Sequence, residues 1–200
     1  MIWHFDIPLR TERLILRAHV LGDLDDLASF HGDPEVTRYI PWPVRNREQT
    51  LDALVVKLGQ GSARVVNDWI VLAVEERSSG RVIGEVLLKR TSDNTAELGY
   101  VLATEAQGKG YVAEAATRLL ADAERLFGVT TVDAHVEEPN LASARVLARL
   151  GFTSIPAAEP GLLSFRRTSD HPEVGPSTSP SSSSLSSSSL SSSSPTPSSS

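Results

Sequence analysis

The sequence predicts an α+β fold, mixed in its connections, in which a mostly antiparallel central sheet carries helices on both faces. Three observations predict it. Three β-branched-rich runs, Trp69 to Glu75, Val82 to Leu88 and Thr95 to Ala103, follow one another through the short links Arg77-Ser78-Ser79-Gly80 and Ser92-Asp93-Asn94. Links that short join antiparallel neighbours. One helical crossover follows, with Val112, Ala116, Leu119, Leu120, Ala123 and Phe127 on a single apolar stripe. Upstream, Leu51, Leu54, Val55 and Leu58 recur at helical spacing, which supplies a second packing face.

Taken in order, Arg13 to Arg17 alternates, with Leu14 and Leu16 on one face, and reads as the first strand. Asp23 is placed to cap a short helix carrying Leu24, Leu27 and Ala28, and Asp33-Pro34 opens another with proline at its first position. Tyr39-Ile40-Pro41-Trp42-Pro43 cannot continue a helix and leaves two aromatics in a loop. Asn46-Arg47-Glu48-Gln49 has the form of a capping box, and the helix it starts ends near Gly59 and Gly61. Past the crossover come a strand over Val129 to Val136, a helix through Leu147 and Leu150, and a closing pair, Phe152 to Ile155 and Leu162 to Arg167.

Composition bounds the function. Two hundred residues, 40% of them hydrophobic, suit one domain with a real core. The chain has no cysteine, which excludes disulfides, thiolate metal sites and cysteine nucleophiles. A net charge of −6 with scattered Lys and Arg argues against nucleic acid as partner and favours something weakly basic. No apolar run approaches the length of a membrane span, and the N-terminus lacks the form of a signal peptide, so a soluble, cytoplasmic protein is expected. From residue 169 the chain turns to Ser, Pro and Thr, with Leu185 and Leu190 too sparse to nucleate structure. Residues 9–168 are therefore expected as the domain and 169–200 as a disordered tail.

The most informative stretch is Glu97 to Ala116, ELGYVLATEAQGKGYVAEAA, a strand running through a glycine-punctuated turn into an amphipathic helix. Gly108 and Gly110 permit backbone angles that other residues resist, so the amides from Gln107 to Val112 can converge. The helix that follows adds unpaired N–H groups and the positive end of its dipole, which together make a phosphate cradle. Gly108, Gly110 and Ala113 also satisfy the loose dinucleotide pattern, with Asp133 further on. That fold needs several parallel strands and crossovers, whereas this chain offers one. A P-loop is excluded because no Ser or Thr follows the Gly-Lys pair.

These residues resemble the acetyl-CoA loop of the GNAT N-acetyltransferases, Gln/Arg-x-x-Gly-x-Gly/Ala, in the form Gln107-Gly108-Lys109-Gly110-Tyr111-Val112. Val112 departs from the last position with a branched side chain that can crowd a pyrophosphate. The flanking ELGY strand and EPNLASARVLARLGF are similar to the branch containing the ribosomal-protein N-terminal acetyltransferases, and the resemblance covers Leu9 to Arg167. It implies a splayed sheet, acetyl-CoA as co-substrate, no metal, and direct transfer of acetyl to a primary amine. It also implies that the Val101 and Leu102 backbone pairs with pantetheine, that an amide there polarises the thioester, and that Asn140 bonds the cofactor.

For the base, Glu97 is the first candidate, a carboxylate interrupting an apolar strand; the structural alternative is a partner for a lysine or arginine. Glu85 and His135 come next, and Glu85 also belongs with Tyr39 and Trp42 on the acceptor side. Glu114 is expected to serve its neighbours on the helix. The family's thiolate-protonating tyrosine falls at Leu147, so Ser143 is the replacement suggested by the ribosomal-protein branch; a plain helix-start serine is the alternative. The expected acceptor is a protein or peptide N-terminus. Acetylation of an antibiotic or polyamine, or a non-catalytic acyl-CoA-binding module kept open by Leu147 and Val112, are the alternatives. A homodimer is compatible with all of them.

Overall fold

Hydrophobic alternation and turn chemistry place most elements where the sequence predicts them. The structure is a computed structural model that describes residues 1–157 and 159–169. It begins with β1 (Trp3–His4), β2 (Leu9–Arg10), β3 (Leu14–Arg17), α1 (Leu24–His31) and α2 (Pro34–Thr37). Next come α3 (Arg47–Lys57), β4 (Ser62–Ala63), β5 (Trp69–Glu76), β6 (Val82–Arg90) and β7 (Thr95–Leu102). The chain continues through α4 (Tyr111–Phe127), β8 (Thr131–Glu137), α5 (Leu141–Arg149), β9 (Thr153–Ile155) and β10 (Leu162–Thr168).

The capping box is present: Gln49 N donates to Asn46 Oδ1 and Asn46 N to Gln49 Oε1, both at 2.9 Å. Asp33 Oδ1 accepts from Glu35 N, with Pro34 opening α2. Asp23 departs from expectation. It does not cap α1; its carboxylate accepts from Val20 N at 2.9 Å and pairs with Arg17. A cationic neighbour thus takes the oxygens that a cap would have used.

Eight strands form one sheet in the order β2-β3-β5-β6-β7-β8-β10-β9. All neighbours are antiparallel except β7 and β8, which pair in parallel only from Thr95–Glu97 to Thr131–Asp133. Beyond Glu97 the two strands part, so the rest of β7 has a hydrogen-bonded ladder on one side alone. Helices cover both faces. Glu85 of β6 meets His31 of α1 and Lys57 of α3, while its neighbour Val86 lines a narrow gap with Val112 and Ala115 of α4. Adjacent strand residues point to opposite faces, which separates the two helix layers.

α4 runs between two left-handed glycines, Gly110 at φ +81° and Gly128 at φ +67°, and buries Ala115, Ala116, Leu119, Leu120, Ala123 and Phe127. Fully burying a leucine contributes about 1.5–3 kcal/mol, so this stripe fixes the helix on the sheet. The packed unit starts earlier than residue 9. Trp3 and Phe5 are fully buried against Phe127, with ring centroids 5.4 and 4.9 Å away. Ser169 N donates to Thr130 O at 2.9 Å, so the fold still holds the chain at the first residue of the tail expected over 169–200, and the rest of that tail lies outside the described residues. Among those described, no helix is long and apolar enough to cross a membrane.

Candidate active site

From the end of β7 a short 3-10 turn over Thr104–Ala106 leads into the glycine loop. Gly108 and Gly110 both adopt left-handed angles, φ +74° and +81°, which an L side chain resists. Gln107 Nε2 donates to Leu102 O at 3.2 Å and fastens the loop to the strand end. The Gln107 amide is itself used, donating to Thr104 O at 3.2 Å, so the cradle opens one residue later than expected. Among the described residues nothing accepts from the N–H groups of Gly108, Lys109 or Gly110. The first intrahelical bond is Glu114 N to Gly110 O, so the first-turn amides before it also lack a helical acceptor. This arrangement binds an anion.

Side chains brace the loop without filling it. Arg13 donates to Lys109 O at 3.0 Å, pairs with Glu114 at 2.7 Å and lies 4.5 Å from the Tyr111 ring centroid. Glu114 thus serves Thr11 and Arg13, between β2 and β3, rather than neighbours on its own helix. The Tyr111 hydroxyl donates to Glu76 Oε1 at 2.5 Å, leaving only its amide for a ligand. Val112 turns its branched side chain into the apolar gap beside Val74, Val86 and Ala115, so it does not crowd the loop amides.

Across the parting of the strands, Asn140 Oδ1 accepts from Ser143 N at 3.1 Å and caps α5. Tyr100, unremarked in the sequence beyond its place in ELGY, donates its hydroxyl to Ser143 O at 3.2 Å. Burial raises the Tyr100 pKa, partly offset by that hydrogen bond. Leu147 is fully buried and serves the core. Val101 and Leu102 lie on the freed part of β7 with buried side chains; the ladder to β6, continued by Ala103 N to Ile83 O, leaves the N–H and C=O of Leu102 on the gap side, whereas Val101, expected to offer its backbone to the cofactor, turns it to Glu85.

Glu97, the first candidate for the base, does not lie where the gap opens. It sits at the closed end, in register with Asp133, with its side chain 27% exposed and 3.7 Å from Lys89 Nζ. The ammonium of Lys89 in turn lies 5.5 Å from the Trp69 ring centroid. Glu97 and Lys89 share a cross-strand pair, so the carboxylate has the lysine partner of the structural alternative. His135 is exposed on β8, its Nδ1 3.0 Å from Ser164 Oγ.

Glu85 is the buried carboxylate instead. Lys57 Nζ lies 2.5 and 2.6 Å from its two oxygens, His19 Nε2 at 3.0 Å and His31 Nε2 at 3.3 Å. Burial alone would raise its pKa; His19, His31 and Lys57 outweigh that and hold it well below the ordinary value. His19 Nδ1 continues 3.3 Å to Asp23, which Arg17 grips with two nitrogens at 2.8 and 2.9 Å, and Arg17 Nε reaches Glu75 at 2.6 Å. The two His19 nitrogens lie near these carboxylates without a hydrogen bond to either. Charges alternate along this chain from Glu75 to Lys57. Trp42 lies over its inner end, with its ring centroid 6.3 Å from that of His31 and the Arg45 guanidinium 5.1 Å away. Tyr39 is half-buried under Arg38. The structure therefore brings Glu85 and Trp42 to one place through His31, which sequence reasoning missed; its only signal was a histidine closing an apolar helix.

The profile of the Acetyltransferase (GNAT) domain matches residues 13–153. The chain belongs to the GNAT acetyltransferases. It is 29% identical over 145 residues to the uncharacterized N-acetyltransferase p20 of Bacillus licheniformis, covering 72% of this chain and 81% of that one. A solved acetyltransferase from Agrobacterium tumefaciens is 26% identical with a TM-score of 0.64, covering 83% and 97% of the two chains. RimL, a ribosomal L7/L12 α-N-protein acetyltransferase solved with coenzyme A, shares the fold at TM-score 0.67 and 19% identity, covering 82% and 98%. This GNAT protein is an acetyl-transferring enzyme.

Proposed function

We infer that this GNAT enzyme takes acetyl from acetyl-CoA and delivers it to the α-amine of a peptide or protein N-terminus by direct attack on the thioester. The observation that carries the reading is the set of unpartnered amides at Gly108, Lys109 and Gly110, beside the parting of β7 from β8. The cradle fits the pyrophosphate. The free edge of β7 at Tyr100 and Leu102 fits the amides of pantetheine, which pair with a strand edge as a peptide does. The amide of Leu102, which faces the gap, then polarises the carbonyl that is attacked. Asn140 spends its oxygen on the α5 cap and keeps its Nδ2 donor for the cofactor.

The acceptor class follows from the proton the amine must lose. A lysine amine with pKa about 10.4 is neutral in roughly one molecule in 2,500 at pH 7, an α-amine with pKa about 8 in roughly one in ten. With Glu97 paired to Lys89, a partly neutral amine suits the site better. The fold shared with RimL and the net charge of −6 agree. The test compares release of CoA thiol with a peptide bearing a free α-amine and with the same peptide N-terminally blocked but carrying a lysine. Faster release with the free α-amine is expected. Faster release with the blocked lysine peptide, or release only with an antibiotic or polyamine, would overturn the acceptor and leave the acetyltransferase standing.

A further inference from the structure

Two nitrogens beneath the acceptor-side loop have no partner. His31 is fully buried, and neither its Nδ1 nor Trp42 Nε1 meets a hydrogen-bonding atom among the described residues. Such orphans are uncommon, because each forfeits a bond that water would provide. The far side of the imidazole is occupied: Nε2 lies 3.3 Å from Glu85 Oε2 and 3.5 Å from Lys57 Nζ. Lys57 directs its ammonium at the two Glu85 oxygens, at 2.5 and 2.6 Å, and a carboxylate can only accept. With the ring proton on Nε2, facing Glu85, the lone pair is left on Nδ1. A buried carboxylate fixes the tautomer of a histidine base by the same logic.

We propose that His31 accepts the proton of the incoming amine, with Glu85 as its positioning residue, and that Trp42 Nε1 binds the carbonyl of the same N-terminal residue. The assignment rests on the acetyl-transfer reading above and sharpens its acceptor. Nδ1 accepts from an ammonium and Nε1–H donates to a carbonyl, and an N-terminal amino acid presents those two groups one carbon apart. A lysine side chain or a polyamine presents the cation without the carbonyl. In the reaction the ammonium gives one proton to Nδ1 and the freed pair attacks the thioester carbon. The C–N bond forms, the C–S bond breaks, and the second proton lost by the nitrogen leaves with the sulfur as CoA thiol. His31 returns its proton to solvent.

The surroundings hold His31 in the form this step needs. Glu85 faces it from β6, Lys57 from α3 and Arg45 from the loop. Burial, with Lys57 and Arg45, pushes its pKa below the ordinary value against the pull of Glu85, so the ring is neutral at pH 7. Glu85 stays ionised because His19, raised by Asp23 and Glu85 against its own burial, stands on its other side. Trp42 sits between two prolines in a stretch outside any helix or strand. Its ring rests on His31 and Arg45, and no strand ladder holds it there.

The experiment uses the full chain, acetyl-CoA, the peptide Ala-Tyr-Gly-amide, and the analogue of that peptide with its first carbonyl reduced to methylene. His31→Gln keeps a donor for Glu85 near Nε2 and has nothing at Nδ1. It is expected to lose about 100-fold or more in kcat, with the acid limb of the pH profile gone and acetyl-CoA affinity unchanged. Trp42→Phe is expected to lose about tenfold in kcat/KM on the peptide and little on the reduced analogue. In ¹⁵N-histidine spectra at pH 7, His31 should carry its proton on Nε2, and its Nδ1 signal should move when the peptide is added to the CoA-loaded protein. Unchanged kcat in His31→Gln, equal losses on both probes in Trp42→Phe, a proton on Nδ1, or an Nδ1 signal indifferent to the peptide overturns the proposal. Thiol release from the wild type with no amine at all would instead defeat the acetyl-transfer reading, and the spectra would still decide His31.

Discussion

The Tyr100 hydroxyl donates to the Ser143 carbonyl at 3.2 Å, across the gap that opens where β7 leaves β8. The bond ties the freed strand to the first turn of α5 through a backbone acceptor. Ser143→Ala leaves that carbonyl in place, so the two variants separate the tie from the serine hydroxyl. Tyr100→Phe should lower stability by about 1 kcal/mol, the net worth of one hydrogen bond. Ser143→Ala should melt with the wild type and slow thiol release only if its hydroxyl protonates the departing sulfur. Wild-type turnover in Ser143→Ala would remove Ser143 from the chemistry and leave it as part of the α5 start.

At Gly110 a valine meets space, the nearest atom to an added Cβ being Arg13 Nη2 at 3.7 Å, but the backbone sits at φ +81°. The left-handed conformation costs an L-residue about 1–2 kcal/mol, and a branched residue more. Gly110→Val should therefore relax the loop out of its cradle rather than clash within it. Titration calorimetry should show CoA affinity falling about tenfold or more, with α4 still folded by circular dichroism. Unchanged affinity would place the pyrophosphate elsewhere.

Local chemistry made most of the fold legible. The capping box at Asn46, the proline at α2, the glycines of the loop and the stripe of α4 each act within a few residues, and each is found. The two-residue strands β1, β2 and β4 carry too little alternation to announce themselves. Trp3 and Phe5 join the core only because Phe127 arrives from the end of α4. The candidate site divides in the same way. Its phosphate half is contiguous in sequence, whereas its acceptor half gathers residues 19, 31, 42, 57 and 85 from five separate segments. The visible trace of that half was a glutamate inside Val82 to Leu88, ranked second to Glu97 among the candidate bases. Glu97 offered a similar signal, and cross-strand Lys89 answered it.

The buried charges set a pH dependence whose sign can be worked out. Glu85 and Asp23 are both depressed, against their burial, by the cations around them. Each adds stability above its unfolded value of about 4, and that stability is lost as pH falls further. His19 is raised, so its contribution is complete below about 6.5 and fades as pH climbs through its folded value. His31 is lowered, so it costs stability as pH drops below about 6.5 and works against His19 there. Melting curves from pH 3 to 9 should show a steep acid limb below about pH 4. Glu85→Gln should flatten that limb and lower stability at pH 7 by about 3 kcal/mol or more, since it strands Lys57 and His19. A Glu85→Gln protein as stable as the wild type would mean that no ionised carboxylate anchors this core.

Gly84 is where the two helix layers and the open strand constrain one backbone position. It pairs with Val74 on one side, next to the irregularity between Val74 and Glu75, and with Leu102 on the other. Ala103 N reaches Ile83 O at 2.9 Å, so β7 is held close to β6 up to the start of the glycine loop. A Cβ at Gly84 would lie 2.3 Å from Val101 O, 2.5 Å from Leu102 Cδ2 and 3.0 Å from Leu102 Cα. Two of those three atoms are backbone, and no rotamer change relieves them. Alanine must therefore push Val101 and Leu102 outward, toward the gap that pantetheine is proposed to fill. Overpacking of this kind costs about 1–3 kcal/mol. The displaced segment is also the one whose amide is to polarise the thioester, so Gly84→Ala should lose CoA affinity and kcat together, unlike Gly110→Val, whose defect should lie in affinity. Calorimetry with CoA and thiol release at saturating acetyl-CoA would separate the two variants. A Gly84→Ala protein with normal turnover would show that the thioester is not handled at Leu102.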